Sequence, residues 1–64
     1  MTITKNDTFT CATDKASTYT FTGKTKKPNA FEDTVKYQFT ETSKYHTAKV
    51  WRNENWIKDY FTKA

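Results

Sequence analysis

The sequence predicts a small α+β domain of the order ββαββ, in which two antiparallel hairpins form one sheet and a helix at about residues 30–42 packs on one face. Three observations support this fold: apolar and polar residues alternate in 8–22, a helix start signal lies at 29–32, and two β-rich arms occupy 45–62. The 64 residues make one domain, with 1–7 as a frayed arm or an edge strand. The alternative is an all-β small antiparallel barrel or sheet.

The first hairpin is predicted from threonines that alternate with larger side chains. A three-residue loop would place Cys11 opposite Tyr19 and Phe9 opposite Phe21, so that all four share one face. The opposite face would be a ladder of threonines, which have high β-propensity and tolerate water. Gly23 would end this hairpin, and the following segment, 24–28, would be a connection because its proline cannot donate to a ladder.

Residues 29–43 carry signals for both a helix and a strand. Asn29 and Glu32 have the spacing of a capping box, which favours a helix N-terminus. Phe31, Val35 and Phe39 fall at helical spacing. The strand alternative rests on the alternation of Val35 with Tyr37 and Phe39, but it needs a hairpin turn at 41–44, where there is no Gly or Asn. The start signal favours the helix.

The second hairpin is predicted to turn at Asn53-Glu54, which would place Trp51 opposite Trp56 and Val50 opposite Ile57. One face would face the core: His46, Ala48, Val50, Ile57 and Phe61. The other would be aromatic and cationic: Tyr45, Thr47, Lys49, Trp51, Trp56, Lys58 and Tyr60. The complete predicted core is Phe9, Cys11, Tyr19, Phe21, Phe31, Val35, Phe39, Ala48, Val50, Ile57 and Phe61.

The composition restricts the classes of function. Five Phe, four Tyr and two Trp must fill a core that contains no Leu. The single Cys11 cannot form an intramolecular disulfide, which favours a reducing, cytoplasmic setting. No apolar run is long enough for a membrane span, and no signal-peptide core follows Met1. A net charge of +4 permits attraction to nucleic acid or to an acidic protein surface.

No catalytic, cofactor or metal motif is found, and we predict that the chain is not an enzyme. Cys11 and His46 could pair as nucleophile and base, but no third residue has an orienting motif. We expect Cys11 to be a small buried apolar residue and His46 to be a hydrogen-bonded histidine at the rim, opposite Phe61 and diagonal to Asp59. One Cys and one His lack the repeated spacing of a zinc site.

The candidate binding surface is the aromatic and cationic face of the second hairpin. Its predicted contact residues are Lys49, Trp51, Arg52, Trp56, Lys58 and Tyr60. A basic loop adds Lys24, Lys26 and Lys27. Trp, Tyr and Arg are enriched at binding hot spots, and aromatics between lysines are typical of single-strand binders. Two alternatives without a ligand stay open: a cross-strand Trp pair that only stabilises the hairpin by about 0.5–1 kcal/mol, and a solvated lysine loop.

Three segments together give the chain a resemblance to a class of proteins. They are T-Y-T-F-T leading through K-T-K-K-P, then N-A-F-E-D-T-V-K-Y-Q-F, and finally K-V-W-R-N-E-N-W-I-K. In plan the chain resembles small phage-encoded inhibitors of host machinery, including anti-CRISPR proteins and inhibitors of host RNA polymerase. The resemblance implies a non-enzymatic function in the host cytoplasm. Many such proteins are acidic DNA mimics, and the charge of +4 argues against that mode here.

We therefore expect a small interaction protein that blocks or modulates a macromolecular partner belonging to nucleic-acid-handling machinery. The alternative is a low-specificity DNA- or RNA-binding module that uses the basic and aromatic sheet face. A structural or assembly subunit stays open as a third class, because an uncovered sheet edge can pair with a second copy to form a homodimer.

Overall fold

The computed structural model describes residues 3–31 and 33–64 as one antiparallel sheet and one short helix. The elements are β1 (Thr8–Cys11), β2 (Asp14–Lys26), β3 (Lys36–Thr42), β4 (Thr47–Asn53), α1 (Glu54–Tyr60) and β5 (Phe61–Lys63). The strand order is β4-β3-β2-β1-β5. The α+β class and the antiparallel sheet are therefore confirmed. The predicted order ββαββ is wrong, because the helix follows four strands rather than two.

The first hairpin has the predicted faces but a different register. Phe9 pairs with Tyr19 rather than Phe21, and Cys11 pairs with Asp14, with an irregularity between these two pairs. Relative to the prediction, one strand slides by two residues. Because side chains alternate with a period of two, this slide leaves every side chain on its predicted face.

β2 continues beyond the predicted end of the first hairpin, so the segment from Gly23 to Lys26 is strand rather than a connection. Its pairing with β3 shifts between Phe21 and Thr25, on either side of Gly23. Gly23 has φ +94, a conformation that other residues adopt at a cost, and a Cβ there would lie 3.3 Å from the side chain of Lys5. The glycine thus permits an irregularity within β2 without ending the strand.

The predicted helix at 30–42 is wrong, and the strand alternative holds for Lys36–Thr42. Asn29 does accept a local hydrogen bond, but its Oδ1 receives the N–H of Phe31 at 2.8 Å, two residues on, which is an Asx-turn. Glu32, the other half of the predicted capping box, lies outside the described residues. The turn to β4 needs no Gly or Asn because the Ser43 Oγ accepts the N–H groups of Tyr45 and His46.

The predicted second hairpin is also wrong, since its second arm is helical up to Tyr60 and its two arms do not pair with each other. Asn53 has extended φ and ψ values of −79° and 165°, and its Oδ1 accepts the N–H of Trp56 at 2.8 Å. That is the geometry of a helix N-cap, which a hairpin turn would not have. The second arm therefore becomes α1, and β4 pairs with β3 instead.

The core lies between α1 and one face of the sheet. Its buried members are Phe9, Cys11, Tyr19, Phe21, Phe39 and Ile57. Ile3, Tyr37, Val50 and Phe61 pack against them. Phe39 is fully buried at the centre, with its ring centroid 5.8 Å from that of Phe9 and 5.1 Å from that of Phe61. Phe31 was predicted to belong to this core and does not, because 96% of its surface is exposed.

Two other predicted core positions also fall outside the buried cluster: Ala48 is exposed although it lies on the core side of β4, the edge strand, and Val35, which precedes β3, is only half-buried. Residues 3–7, by contrast, contribute to the fold next to β2. The N–H of Asn6 donates to the carbonyl of Phe21, whose own N–H donates to the carbonyl of Asp7, both at 2.9 Å.

The face of the sheet away from α1 is called the open face. A row of threonines crosses all five strands on it: Thr62, Thr10, Thr18, Thr42 and Thr47. Beside that row, Thr40 of β3 pairs with Lys49, and Gln38 pairs with Trp51. The open face is thus polar along most of its area, and the aromatic residue Trp51 lies on it in β4, next to β3.

Candidate binding surfaces

The two tryptophans of the predicted binding face lie on different sides of the sheet. Trp51 is in β4 and shares the open face with Gln38, its partner in β3. Trp56 is in the first turns of α1, on the helix side. The predicted cross-strand Trp pair therefore does not exist, because the chain enters a helix at Asn53 rather than turning back. The nine predicted contact residues divide into two separate groups.

The first group is the helix-side patch, defined here as Arg52, Trp56, Lys58 and Tyr60. The rings of Trp56 and Tyr60 lie one helical turn apart with centroids at 4.4 Å, and the Arg52 guanidinium carbon lies 5.5 Å from the Trp56 ring. Arg52 is held in place by a hydrogen bond from its Nη1 to the carbonyl of Trp51 at 2.8 Å. Lys58 pairs with Glu54 at 3.8 Å across one turn. Arg52, Trp56 and Tyr60 thus form an aromatic and cationic cluster, and Lys58, two residues from each aromatic, projects from a different side of α1.

Exposure within the helix-side patch is uneven. Tyr60 is 37% exposed, and Trp56 is partly buried. The indole Nε1 of Trp56 is buried and has no acceptor among the described residues. Tyr60 and Lys58 therefore provide most of the accessible surface, while Arg52 and Trp56 are only partly exposed.

The second group lies where β2 ends and β3 begins. The ammonium of Lys26 lies 4.4 Å from the ring centroid of Trp51, within the range of a cation–π contact. Lys26 pairs with Lys36 across the two strands, so both project from the open face. Lys24 and Lys27 are exposed nearby, and Lys49 lies further along β4 beside Thr40. The structure thus brings together Trp51 and Lys26 from the predicted set.

A depression of about 370 Å³ adjoins this second group. We call it the basic end, and its lining residues are Lys26, Lys27, Asn29, Phe31 and Lys36. Asn29, Phe31 and Lys36 were not predicted as binding residues, because the predicted helix placed Phe31 in the core. A signal was present in Asn29 itself, since an asparagine side chain can accept an N–H in an Asx-turn as well as at a helix N-cap.

A chain of hydrogen bonds at the opposite end of β3 joins Tyr19, Glu41, His46 and Ser43. The Tyr19 hydroxyl donates to Glu41 Oε2 at 2.6 Å, His46 Nε2 donates to Glu41 Oε1 at 3.0 Å, and Ser43 Oγ lies 3.0 Å from His46 Nδ1. The bonds from Tyr19 and His46 lower the pKa of Glu41. Burial, and then the bond to Glu41, raise the pKa of Tyr19.

This chain contains a serine, a histidine and a carboxylate in sequence, but its geometry is that of a closed turn. The Ser43 Oγ already accepts the N–H groups of Tyr45 and His46 at 3.3 and 3.2 Å. Those two N–H groups are therefore occupied by the serine itself and not directed at a position where an oxyanion would form. The predicted partners of His46, Phe61 and Asp59, were wrong because they belonged to the absent second hairpin.

Cys11 is confirmed as a small buried residue. It is 3% exposed, and its Sγ lies 3.2 Å from the hydroxyl of Thr13. Within residues 3–31 and 33–64, no three His, Cys, Asp or Glu side chains are grouped as metal ligands.

Comparison of the chain with protein-family models, with curated proteins and with solved structures finds no match. Within the part of the chain that the structure describes, no helix has the length and apolar character needed to cross a membrane.

Proposed function

We propose that this chain is a non-enzymatic interaction protein that binds a macromolecular partner through the helix-side patch and blocks or modulates it. The supporting observation is the stack of Arg52, Trp56 and Tyr60, with ring centroids of the two aromatics at 4.4 Å and the guanidinium at 5.5 Å. These three residue types are the ones enriched at the energetic centres of protein interfaces. A fixed stack also loses little side-chain entropy on binding.

The proposed partner is a component of nucleic-acid-handling machinery with an acidic surface. Lys58 and Arg52 would fix the orientation of such a partner and raise the association rate, while Tyr60 would supply most of the buried area. Blocking or modulating a component of host machinery is the role that the resemblance to small phage-encoded inhibitors implies. A cytoplasmic location is part of the same proposal, as is the lack of any cofactor.

The test is recovery of the partner from a lysate of the source cells, with and without nuclease, by tagged wild-type chain and by variants. We expect a protein that is retained after nuclease treatment, and we expect Tyr60→Ala to weaken its binding by about 30-fold or more, the size of a hot-spot residue. Tyr45→Ala is the matched control, because Tyr45 is 86% exposed and lies in the β3–β4 turn. Retention unaffected by Tyr60→Ala would contradict the proposal.

A second candidate function, direct low-specificity binding of DNA or RNA, is favoured by a different observation. Lys26 and Lys36 project from the open face at the same end as Trp51, and Lys24 and Lys27 add charge beside them. Lysines between aromatics can neutralise phosphates and hold bases. The two candidate functions use separate surfaces, so substitutions can distinguish them.

A further inference from the structure

We propose that the basic end is a binding site for single-stranded nucleic acid, in which Phe31 stacks on an unpaired base and Lys26, Lys27 and Lys36 contact the phosphates. This inference rests on the second candidate function, direct nucleic-acid binding. It adds the form of the ligand, single strand rather than duplex, and the aromatic residue that selects it.

The first support is the position of Phe31. Its side chain is 96% exposed although it is a large apolar group that would be stabilised by burial. Its backbone is nevertheless held, since its N–H donates to the Oδ1 of Asn29 at 2.8 Å. A ring presented on a fixed turn loses little backbone freedom when a base stacks on it.

The second support is the charge around that ring. The depression of about 370 Å³ is lined by three lysines, Asn29 and Phe31, and no carboxylate is among the described lining residues. Lys26 and Lys36 are directly opposite each other in the sheet, so their cationic side chains project from the same face. The nearest described carboxylate after Phe31 in the sequence is Asp33, which is exposed.

The third support is a second aromatic residue in contact with one of the lysines. The ammonium of Lys26 lies 4.4 Å from the ring centroid of Trp51. Lys26 thus contacts one aromatic ring and lines the same depression as a second, Phe31. Only an unpaired base exposes a face for stacking, whereas the bases of a duplex are already stacked on one another.

The experiment measures binding by fluorescence anisotropy. Labelled oligothymidylate of about twelve nucleotides, a length within the usual site size of small single-strand binders, is compared with a duplex of equal length. Each titration is made at about 50 and 200 mM salt. We expect the single strand to bind more tightly than the duplex, with a log–log salt slope of about 0.7 for each phosphate contacted.

Two kinds of substitution separate stacking from charge. Phe31→Ala should weaken single-strand binding by at least about fivefold and leave the salt slope unchanged, because stacking involves no counterion release. Lys26→Gln and Lys36→Gln should each flatten the slope by about 0.7. The matched controls are Tyr45→Ala and Lys44→Gln, since Lys44 lies 5.7 Å from the Tyr45 ring in a similar pair at the opposite end of β3. These controls should leave both quantities unchanged.

Two results would overturn the inference, and only the second would also contradict direct nucleic-acid binding. Equal binding of single strand and duplex, with Phe31→Ala behaving as Tyr45→Ala does, would leave nucleic-acid binding in place and remove the stacking site. No binding of either oligonucleotide at about 50 mM salt, or equal binding of polyglutamate, would remove the nucleic-acid function as well. Equal binding of polyglutamate would indicate that the basic end is a surface for acidic protein.

Discussion

The two faces of the sheet are built from the same alternating pattern but differ in what they contribute. On the helix side, phenylalanine and tyrosine rings form a continuous cluster around Phe39. On the open face, the corresponding positions are threonines, which cross all five strands in a row through Thr18. Neighbours such as Phe39 and Thr40 therefore have opposite environments. Because α1 covers one face only, the aromatic positions of the alternating pattern are buried and stabilise the fold, whereas the threonine positions face solvent.

The difference also locates the surfaces available for binding. Exposed aromatic residues near cations are Tyr60 on the helix side, Phe31 at the basic end, and Tyr45 beside Lys44 in the β3–β4 turn. The threonine rows between them offer hydroxyls and methyl groups without charge. Among the described residues, charge and aromatic area thus coincide at three places. The two proposed interactions are assigned to the helix-side patch and to the basic end, and the Lys44–Tyr45 pair serves as their control.

The sharpest test of the comparison is a pair of adjacent substitutions. Phe39→Ala should lower the free energy of unfolding by about 3–5 kcal/mol, since it removes a fully buried ring from the centre of the core. Thr40→Ala, one residue away on the open face, should cost less than about 1 kcal/mol. Urea denaturation followed by fluorescence measures both. Where Phe39→Ala does not fold, Phe39→Leu retains the contrast. Similar losses for the two positions would contradict the division into faces.

The second test concerns the start of the helix that makes the faces different. Asn53→Ala should lower stability by about 0.5–2 kcal/mol, because it removes the side chain that accepts the N–H of Trp56. Asn29→Ala is the matched control, since it removes an Asx-turn that starts no helix, and it should cost less. Far-ultraviolet circular dichroism should show a loss of helical signal for Asn53→Ala alone. A larger loss for Asn29→Ala would reverse our assignment of the two asparagines.

The smallest expected effect is at the polar rim of the core side, where Glu41 accepts hydrogen bonds from Tyr19 and His46. These bonds lower the pKa of Glu41 in the folded state. Its contribution is therefore complete above the unfolded pKa of about 4.3 and is lost as the pH falls through the lower folded value. Glu41→Gln should cost on the order of 1 kcal/mol at neutral pH and should flatten the acid side of the stability profile.

Tyr19→Phe serves as the control for that profile, because it removes the donor and keeps the ring. Without the 2.6 Å bond, the pKa of Glu41 in the folded state should rise toward its usual value, so the loss of stability in acid should shrink. Thermal denaturation at a series of pH values measures all three proteins. An unchanged acid limb in both variants would mean that the bond contributes nothing to pH dependence.

The first hairpin could be predicted from the sequence because its information is local. Phe9, Cys11, Tyr19 and Phe21 alternate with threonines over enough residues that any register preserving the alternation buries the same set. The structure slides the pairing by two residues, and all four remain buried. The register itself could not be predicted, because β2 pairs irregularly with both of its neighbours, β1 and β3.

The second half of the chain could not be predicted in the same way, because the spacing of side chains in its short segments fits both a helix and a strand. Both Asn29 and Asn53 can cap a helix, but a helix was predicted only at Asn29, and Asn53 was predicted to lie in a hairpin turn. A signal for the helix at Asn53 was present, since Glu54 and Lys58, like Trp56 and Tyr60, are four residues apart, as pairs on one helix face are. The same four residues also fit a strand arm, so the local pattern did not decide.

The sequence by itself determined the antiparallel hairpin, the aromatic nature of the core, the net positive charge and the residue types able to bind. Only the tertiary structure decided which segment forms the helix, which side of the sheet each tryptophan occupies and that Phe31 faces solvent. The physical reason is that β3 can pair with β2 and β4 on both edges, and those long-range ladders satisfy backbone groups over its whole length. A helix at the same residues would have left those ladders unmade.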